Sequence, residues 1–319
     1  MKSLSYQYEL ISKNRMSLFG ISLIWIFFRH TFFYNNYIYG FGDYFVQIGD
    51  CGVDLFLFLS GFGLYFSYQK SEDIMFFYKK RVQRILPTVF ILLFVFKFIA
   101  AWIQDDSWWS IINPWEWFLA IYSKYWFIGA ILLFYLFFPL IYSIVKRNAS
   151  IAIVGAFVIG ILGILIIKMM HISILNQLVV YLARLPIFVI GVVFASHQFL
   201  FQKKTCILLL FVISIPLLYF LPKDFQRMVY CFTTLGIIIL FPIILDKLPY
   251  VIKKELQRIG KSSLEFYLIH IFLFSYGILN NVDKYVPQSV CVLLVLTLIS
   301  LLSILANQLI TKFTLRLQE

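Results

Sequence analysis

Ten apolar stretches follow one another along the chain, near residues 17–34, 52–69, 85–103, 125–145, 151–168, 178–196, 205–221, 228–245, 262–280 and 288–311. A helix needs about 20 apolar residues to cross a bilayer. Inside hydrocarbon every backbone N–H and C=O must find its partner within the protein, and an α-helix meets that demand within one segment. Composition agrees: of 319 residues 62% are hydrophobic and 13% charged, against about 45–50% and about 25% in a soluble domain. The pattern predicts an all-α, polytopic membrane protein of about ten transmembrane helices. No stretch between the runs has the length of a separate soluble domain, so residues 1–319 are expected to form a single integral membrane domain. Only the segment KRNAS, residues 146–150, divides the fourth run from the fifth.

The charges give the orientation. With the N-terminus inside, 19 of the 27 Lys and Arg fall in inner segments, five in outer ones and three within runs. Cytoplasmic loops carry the excess of Lys and Arg, so both termini are expected in the cytoplasm. The net charge of +12 is then mostly a topology signal and does not argue for nucleic-acid binding. The four cysteines, at 51, 206, 231 and 291, show no CxxC or His/Cys metal spacing, so neither disulfides nor a metal is expected. The first apolar run lacks a small-residue cleavage site and is expected to be retained.

Several runs contain residues that lipid disfavours. Arg15 to His30 reads RMSLFGISLIWIFFRH; fifteen helical steps separate its ends by roughly 22 Å. Arg29 and His30 fall well inside, and an ionisable side chain in a membrane helix is a functional-site hypothesis by default. The second run begins GDCGVDLFLFLSGFGLYFSY. Gly49, Gly52, Gly61 and Gly63 permit close helix approach. Asp54 reads either as a capping or snorkelling carboxylate or as a partner of His30. Ser60 lacks the glycine at position 58 that a nucleophile elbow requires. In the basic loop FYKKRVQRILP, Arg81 and Arg84 share a helix face. They suit phosphate recognition or anchoring to anionic lipid. Pro87 is placed at the start of the third run. The segment DDSWWSIINPWEWF, with Trp108, Trp109, Trp115 and Trp117 around Asp105, Asp106 and Glu116, reads as an interfacial aromatic belt or a sugar-stacking platform. Lys97 and Arg184 also lie within runs, Arg184 as a buried partner or a snorkeller. Glu265, Tyr267 and His270 share the ninth run.

Taken together, these segments resemble the acyltransferase type-3 family of integral membrane acyltransferases. The likeness rests on Arg15…His30, GVDLFLFLSGFGL at 52–64, FYKKRVQRILP with Arg81 and Arg84, WFIGAILLFYLFFP at 126–139 and IGKSSLEFYLIH at 259–270. It implies transfer of an acyl group, usually acetyl, from cytoplasmic acyl-CoA to a carbohydrate or lipid-linked glycan across the plasma membrane. It implies a catalytic role for His30 and coenzyme phosphate contacts at Arg81 and Arg84. Asp54 is expected beside His30 in catalysis, and further substrate contacts are expected at Arg15, Trp126, Glu265, Tyr267 and His270. The family commonly places ten residues between the arginine and the histidine; here there are fourteen, and Phe19 occupies the position that spacing requires. Arg15 is then expected lower, at the cytoplasmic mouth, or Arg29 takes part of its role.

The chemistry is coherent without the likeness. A sugar hydroxyl needs a base of near-neutral pKa, which histidine provides, and a basic inner mouth steers an anionic donor. The nearest rival is an exporter or flippase of an acylated or glycan-related compound. A secondary transporter would show matching, Gly/Pro-broken halves, and no such internal repeat is visible.

Overall fold

The computed structural model describes residues 2–35, 46, 48–103, 109–197, 204–275 and 288–316. Among these residues the secondary structure is helical, without strands. The long elements are α1 (Lys2–Asn35), α2 (Asp50–Gln69), α3 (Ile74–Ile103), α4 (Trp126–Arg147), α5 (Ala149–Met170), α6 (Asn176–Ser196), α7 (Lys204–Phe220), α8 (Lys223–Lys247), α9 (Tyr250–Lys261), α10 (Ser263–Ser275) and α11 (Gln288–Arg316). Two short helices, Trp109–Ile112 and Pro114–Leu119, and a π-turn, Ala120–Lys124, connect α3 to α4.

Each of the ten apolar runs overlaps a helix among the described residues. Among the described residues seven helices are long and apolar enough to cross a membrane: α2, α3, α4, α5, α6, α8 and α11. The apolar parts of α7 and α10, Thr205–Leu218 and Ser263–Ser275, are shorter. The protein is multi-pass. Asn148 does separate α4 from α5: it ends one helix in extended conformation, and its side chain accepts from the Ile151 N–H at 3.0 Å to start the next.

Two helices run further than their apolar windows. α1 begins well before residue 17, and its buried Gln7 donates to the Ile239 carbonyl of α8 at 2.8 Å. α3 begins at Ile74, so Pro87 lies inside the helix and not at its start. The apolar window stops short of Arg81 and Arg84, but the helix continues through them, with Arg81 buried beside Ile85 and Arg84 exposed. A proline is tolerated there because neighbouring groups in a helical bundle re-satisfy the freed carbonyl.

α1, α2, α6 and α8 form the centre. α2 lies against α6 through reciprocal glycine contacts: a Cβ on Gly61 would strike the Phe188 carbonyl, and one on Gly191 would strike that of Phe58. Small residues of this kind let two helix backbones meet. Gly20 of α1 and Gly260 of α9 do the same, facing the carbonyls of Leu256 and Met16. This contact fixes the amphipathic α9 against the lower half of α1. α5, α7 and α11 turn rows of large apolar side chains outward, among them Ile151, Val212 and Leu293, as lipid-facing helices do.

Candidate functional site

Two cavities lie between the central helices. The first, about 250 Å³, is basic at one end. Its wall carries Arg15 from α1, Ser60 and Ser67 from α2, Lys80, Arg81 and Arg84 from α3, and Tyr135 from α4. Arg81 and Arg84 share a face, as their spacing predicts. Arg81 is buried, donates to the Ser67 hydroxyl at 2.5 Å and sits 5.4 Å from the centre of the Phe77 ring. Arg15 reaches along its own helix, with its guanidinium 5.5 Å from the Phe19 ring centre. Gly63 makes the room: a Cβ there would collide with the Arg15 guanidinium. Of the four glycines assigned to helix approach, Gly63 therefore serves a side chain instead, while Gly49 and Gly52 face α1 and Gly61 faces α6.

The second cavity is about 520 Å³ and holds His30, Arg29, Asp50, Trp126, Gln177, Arg184 and Arg227 in its wall. Phe56, Phe127 and Tyr267 line both cavities. They form an aromatic collar: Phe127 meets Phe56 edge-on at 5.2 Å and Tyr267 at 5.2 Å, and its backbone N–H donates to the Tyr267 hydroxyl at 3.3 Å. The π-turn before α4 sets this arrangement, because it delivers Trp126 and Phe127 side by side at the helix start. Helix α1 runs past both cavities, with Arg15 at one and His30 at the other.

His30 does not meet Asp54. Its Nδ1 lies 3.0 Å from Nε2 of His270 on α10, with the rings nearly parallel and 5.1 Å apart. His270 is fully buried, and its Nδ1 lies 2.9 Å from the Phe266 carbonyl. A carbonyl only accepts, so His270 Nδ1 bears a proton. Asp54, expected as a partner of His30, is bound instead by Arg184: Nη1 donates to Oδ1 at 2.5 Å. The same Nη1 lies 3.3 Å from the Asp50 carbonyl, Nη2 is 3.9 Å from the Asp50 carboxylate, and the guanidinium is 5.3 Å from the centre of the Trp126 ring. A buried arginine on a neighbouring helix outcompetes histidine for a carboxylate because its planar fork offers more donors and a fixed charge.

Two other expectations change place. His270 was assigned to substrate contact but lies behind His30 and lines neither central cavity. Glu265 also lines neither. It faces a separate cleft between α3, α10 and α11, where it accepts from Asn307 at 3.1 Å and Thr88 at 3.4 Å. Arg15, Arg81, Arg84, Trp126 and Tyr267 do line the central cavities. Gln177 and Arg227 also line the larger cavity; in the sequence Arg227 stands out only as a basic residue in a segment expected to face outward, where few occur.

In the tryptophan-rich segment, Glu116 pairs with Lys97 at 3.2 Å, and Trp117 donates to the Ile111 carbonyl at 2.9 Å. Asp105, Asp106 and Trp108 lie outside the described residues. Among the described residues no group of three His, Cys, Asp or Glu could hold a metal ion.

The class this defines is a helical, multi-pass membrane protein with a basic cavity and a histidine cavity joined at an aromatic wall. The family model for an acyltransferase domain, the acyltransferase type-3 model, matches residues 20–306. The chain belongs to that family of acyltransferases. It matches no curated protein and no solved structure.

Proposed function

We propose that the protein moves an acyl group, acetyl by the habit of the family it resembles, from cytoplasmic acyl-CoA to a hydroxyl of an exported or cell-surface carbohydrate. The observation that carries this reading is the shared wall of the two cavities, with three guanidiniums on one side of the collar and His30 on the other. Arg15, Arg81 and Arg84 hold the coenzyme's phosphates, with Lys80 adding charge. The slim pantetheine arm passes Phe56, Phe127 and Tyr267 and brings the thioester to His30. The acceptor occupies the larger cavity, with Trp126 and Gln177 as contacts. His30 takes the hydroxyl proton as the oxygen attacks the thioester carbonyl.

The reading takes α1, α7 and α10 as crossings as well. That makes ten, with both termini in the cytoplasm and the protein in the plasma membrane as one integral unit. The basic loops then face the compartment where acyl-CoA is made. Asp54 becomes a structural partner of Arg184 in place of a catalytic one. Glu265 and His270 leave the list of substrate contacts.

The test is acyl transfer by purified protein supplied with acetyl-CoA and a soluble glycan. His30→Ala and His30→Gln should lose about 10²–10⁴-fold in turnover, the share a general base contributes, while coenzyme A affinity stays near wild type. An amide can hydrogen-bond but cannot take the proton. Substantial turnover per folded molecule in His30→Gln would remove His30 as the base, and absence of transfer by the wild-type protein would favour the exporter reading.

A further inference from the structure

We infer that His270 is a positioning residue that holds His30 in one tautomer, with the proton on Nδ1 and the lone pair on Nε2. This rests on the reading of His30 as the base. The chain of contacts is directional. The Phe266 carbonyl fixes a proton on His270 Nδ1. In the neutral ring His270 Nε2 is then an acceptor. The 3.0 Å approach of His30 Nδ1 to that atom requires a proton between them, because two facing lone pairs would repel. That proton belongs to His30. Placing it on His270 would make a fully buried imidazolium, at a large desolvation cost.

The anchor is rigid. Phe266 lies one helical turn before His270 on α10, so the carbonyl and the ring it holds belong to one element. Phe274, one turn further on, packs edge-on against both imidazoles, 6.2 Å from His30 and 6.3 Å from His270. Tyr267 of α10 contacts His270 at 5.6 Å between ring centres. The proton that matters chemically is thereby assigned to the other edge of His30. The acceptor hydroxyl gives its proton to His30 Nε2 while its oxygen bonds to the thioester carbonyl carbon. The C–S bond breaks, and the departing thiolate takes that proton from Nε2. The Nδ1 proton stays with His30 throughout. A neutral partner suits this cycle. A carboxylate in the place of His270 would stabilise the imidazolium and slow the return of the proton to sulfur.

The experiment pairs two measurements on purified, detergent-solubilised protein. The first is ¹⁵N spectroscopy of labelled histidine with His30→Gln as the assignment control. It should show His30 as the Nδ1–H form in the wild type and as the Nε2–H form in His270→Leu. The second is steady-state transfer. His270→Leu should lower kcat by about 10-fold or more, with the 10²–10⁴ a general base supplies as the ceiling, and leave coenzyme A affinity unchanged. His270→Gln, whose amide oxygen can still accept from Nδ1–H, should recover most of that loss. An Nε2–H form for His30 in the wild type overturns the inference. So does equal turnover per folded molecule in the Leu and Gln variants. The spectrum needs no substrate and the Gln and wild-type proteins suffice for it. It therefore reads this inference even if transfer itself is not observed.

Discussion

Removing Asp54 should damage the fold before it damages the chemistry. Its side chain is 0% exposed, and that of Arg184 is 2% exposed. Their Oδ1–Nη1 contact of 2.5 Å crosses from α2 to α6 at the rim of the histidine cavity. Breaking a buried pair by deleting one partner typically costs about 3–5 kcal/mol, because the other charge is stranded. Asp54→Leu leaves Arg184 with the Asp50 carboxylate at 3.9 Å and the Trp126 ring. The loss should therefore fall near the lower end, about 3 kcal/mol. The double variant Asp54→Leu/Arg184→Met strands no charge and should recover most of it, since apolar replacement of a whole buried pair is often neutral or stabilising. Reversible unfolding in mixed detergent, read on all four corners of the cycle, measures the coupling directly. A stable Asp54→Leu protein that had nevertheless lost turnover would refute this reasoning and return Asp54 to a direct role at His30.

Gly63→Val should weaken coenzyme A binding in titration, because its side chain takes the space of the Arg15 guanidinium. Gly61→Val, two residues away but facing the Phe188 backbone, should instead lower stability. Equal coenzyme A affinity in Gly63→Val and wild type would remove Arg15 from the donor site. At the turn between α2 and α3, Glu72 accepts from Lys146 at 2.8 Å and Tyr142 at 2.7 Å, and these bonds, that from Lys146 first, hold its carboxyl below the usual carboxylate range. A lowered folded pKa stabilises above the unfolded value and is lost as pH falls through the folded one. The melting-temperature advantage of wild type over Glu72→Gln should thus hold at neutral pH and vanish in acid; a constant gap across the titration counts against the assignment.

The helices were legible because lipid forces every apolar run into one backbone conformation. Their extents were not, because hydropathy records contact with lipid and α1 and α3 also pack on protein. Gln7 and Arg81 are polar yet buried, so the windows stopped where the bundle continued. The partners of the buried charges were the harder matter. Asp54 and His30 are both ionisable groups in lipid-buried runs, so the sequence alone pairs them. Which of several arginines and histidines on other helices reaches each one depends on helix rotation, and no single-chain spacing reports that. Arg184 took the carboxylate, and His270 took the imidazole.

The unusual spacing between Arg15 and His30 is accounted for by the same helix geometry. Four extra residues are close to one full turn. The arginine therefore stays on nearly the same face of α1 as the family's usual position and moves down by about 6 Å. A guanidinium stands several ångströms from its Cα. Arg15 spends that reach climbing over Phe19, the residue at the usual position, into space left by Gly63. Its charge thus joins Arg81 and Arg84 in one wall, although its backbone lies a turn lower. An insertion of two residues would have turned it roughly to the opposite side of the helix. The distance from this arginine cluster to His30 is accordingly set by where the guanidinium ends and not by where residue 15 begins. That is how a departure of four residues still brings Arg15 into one wall with Arg81 and Arg84.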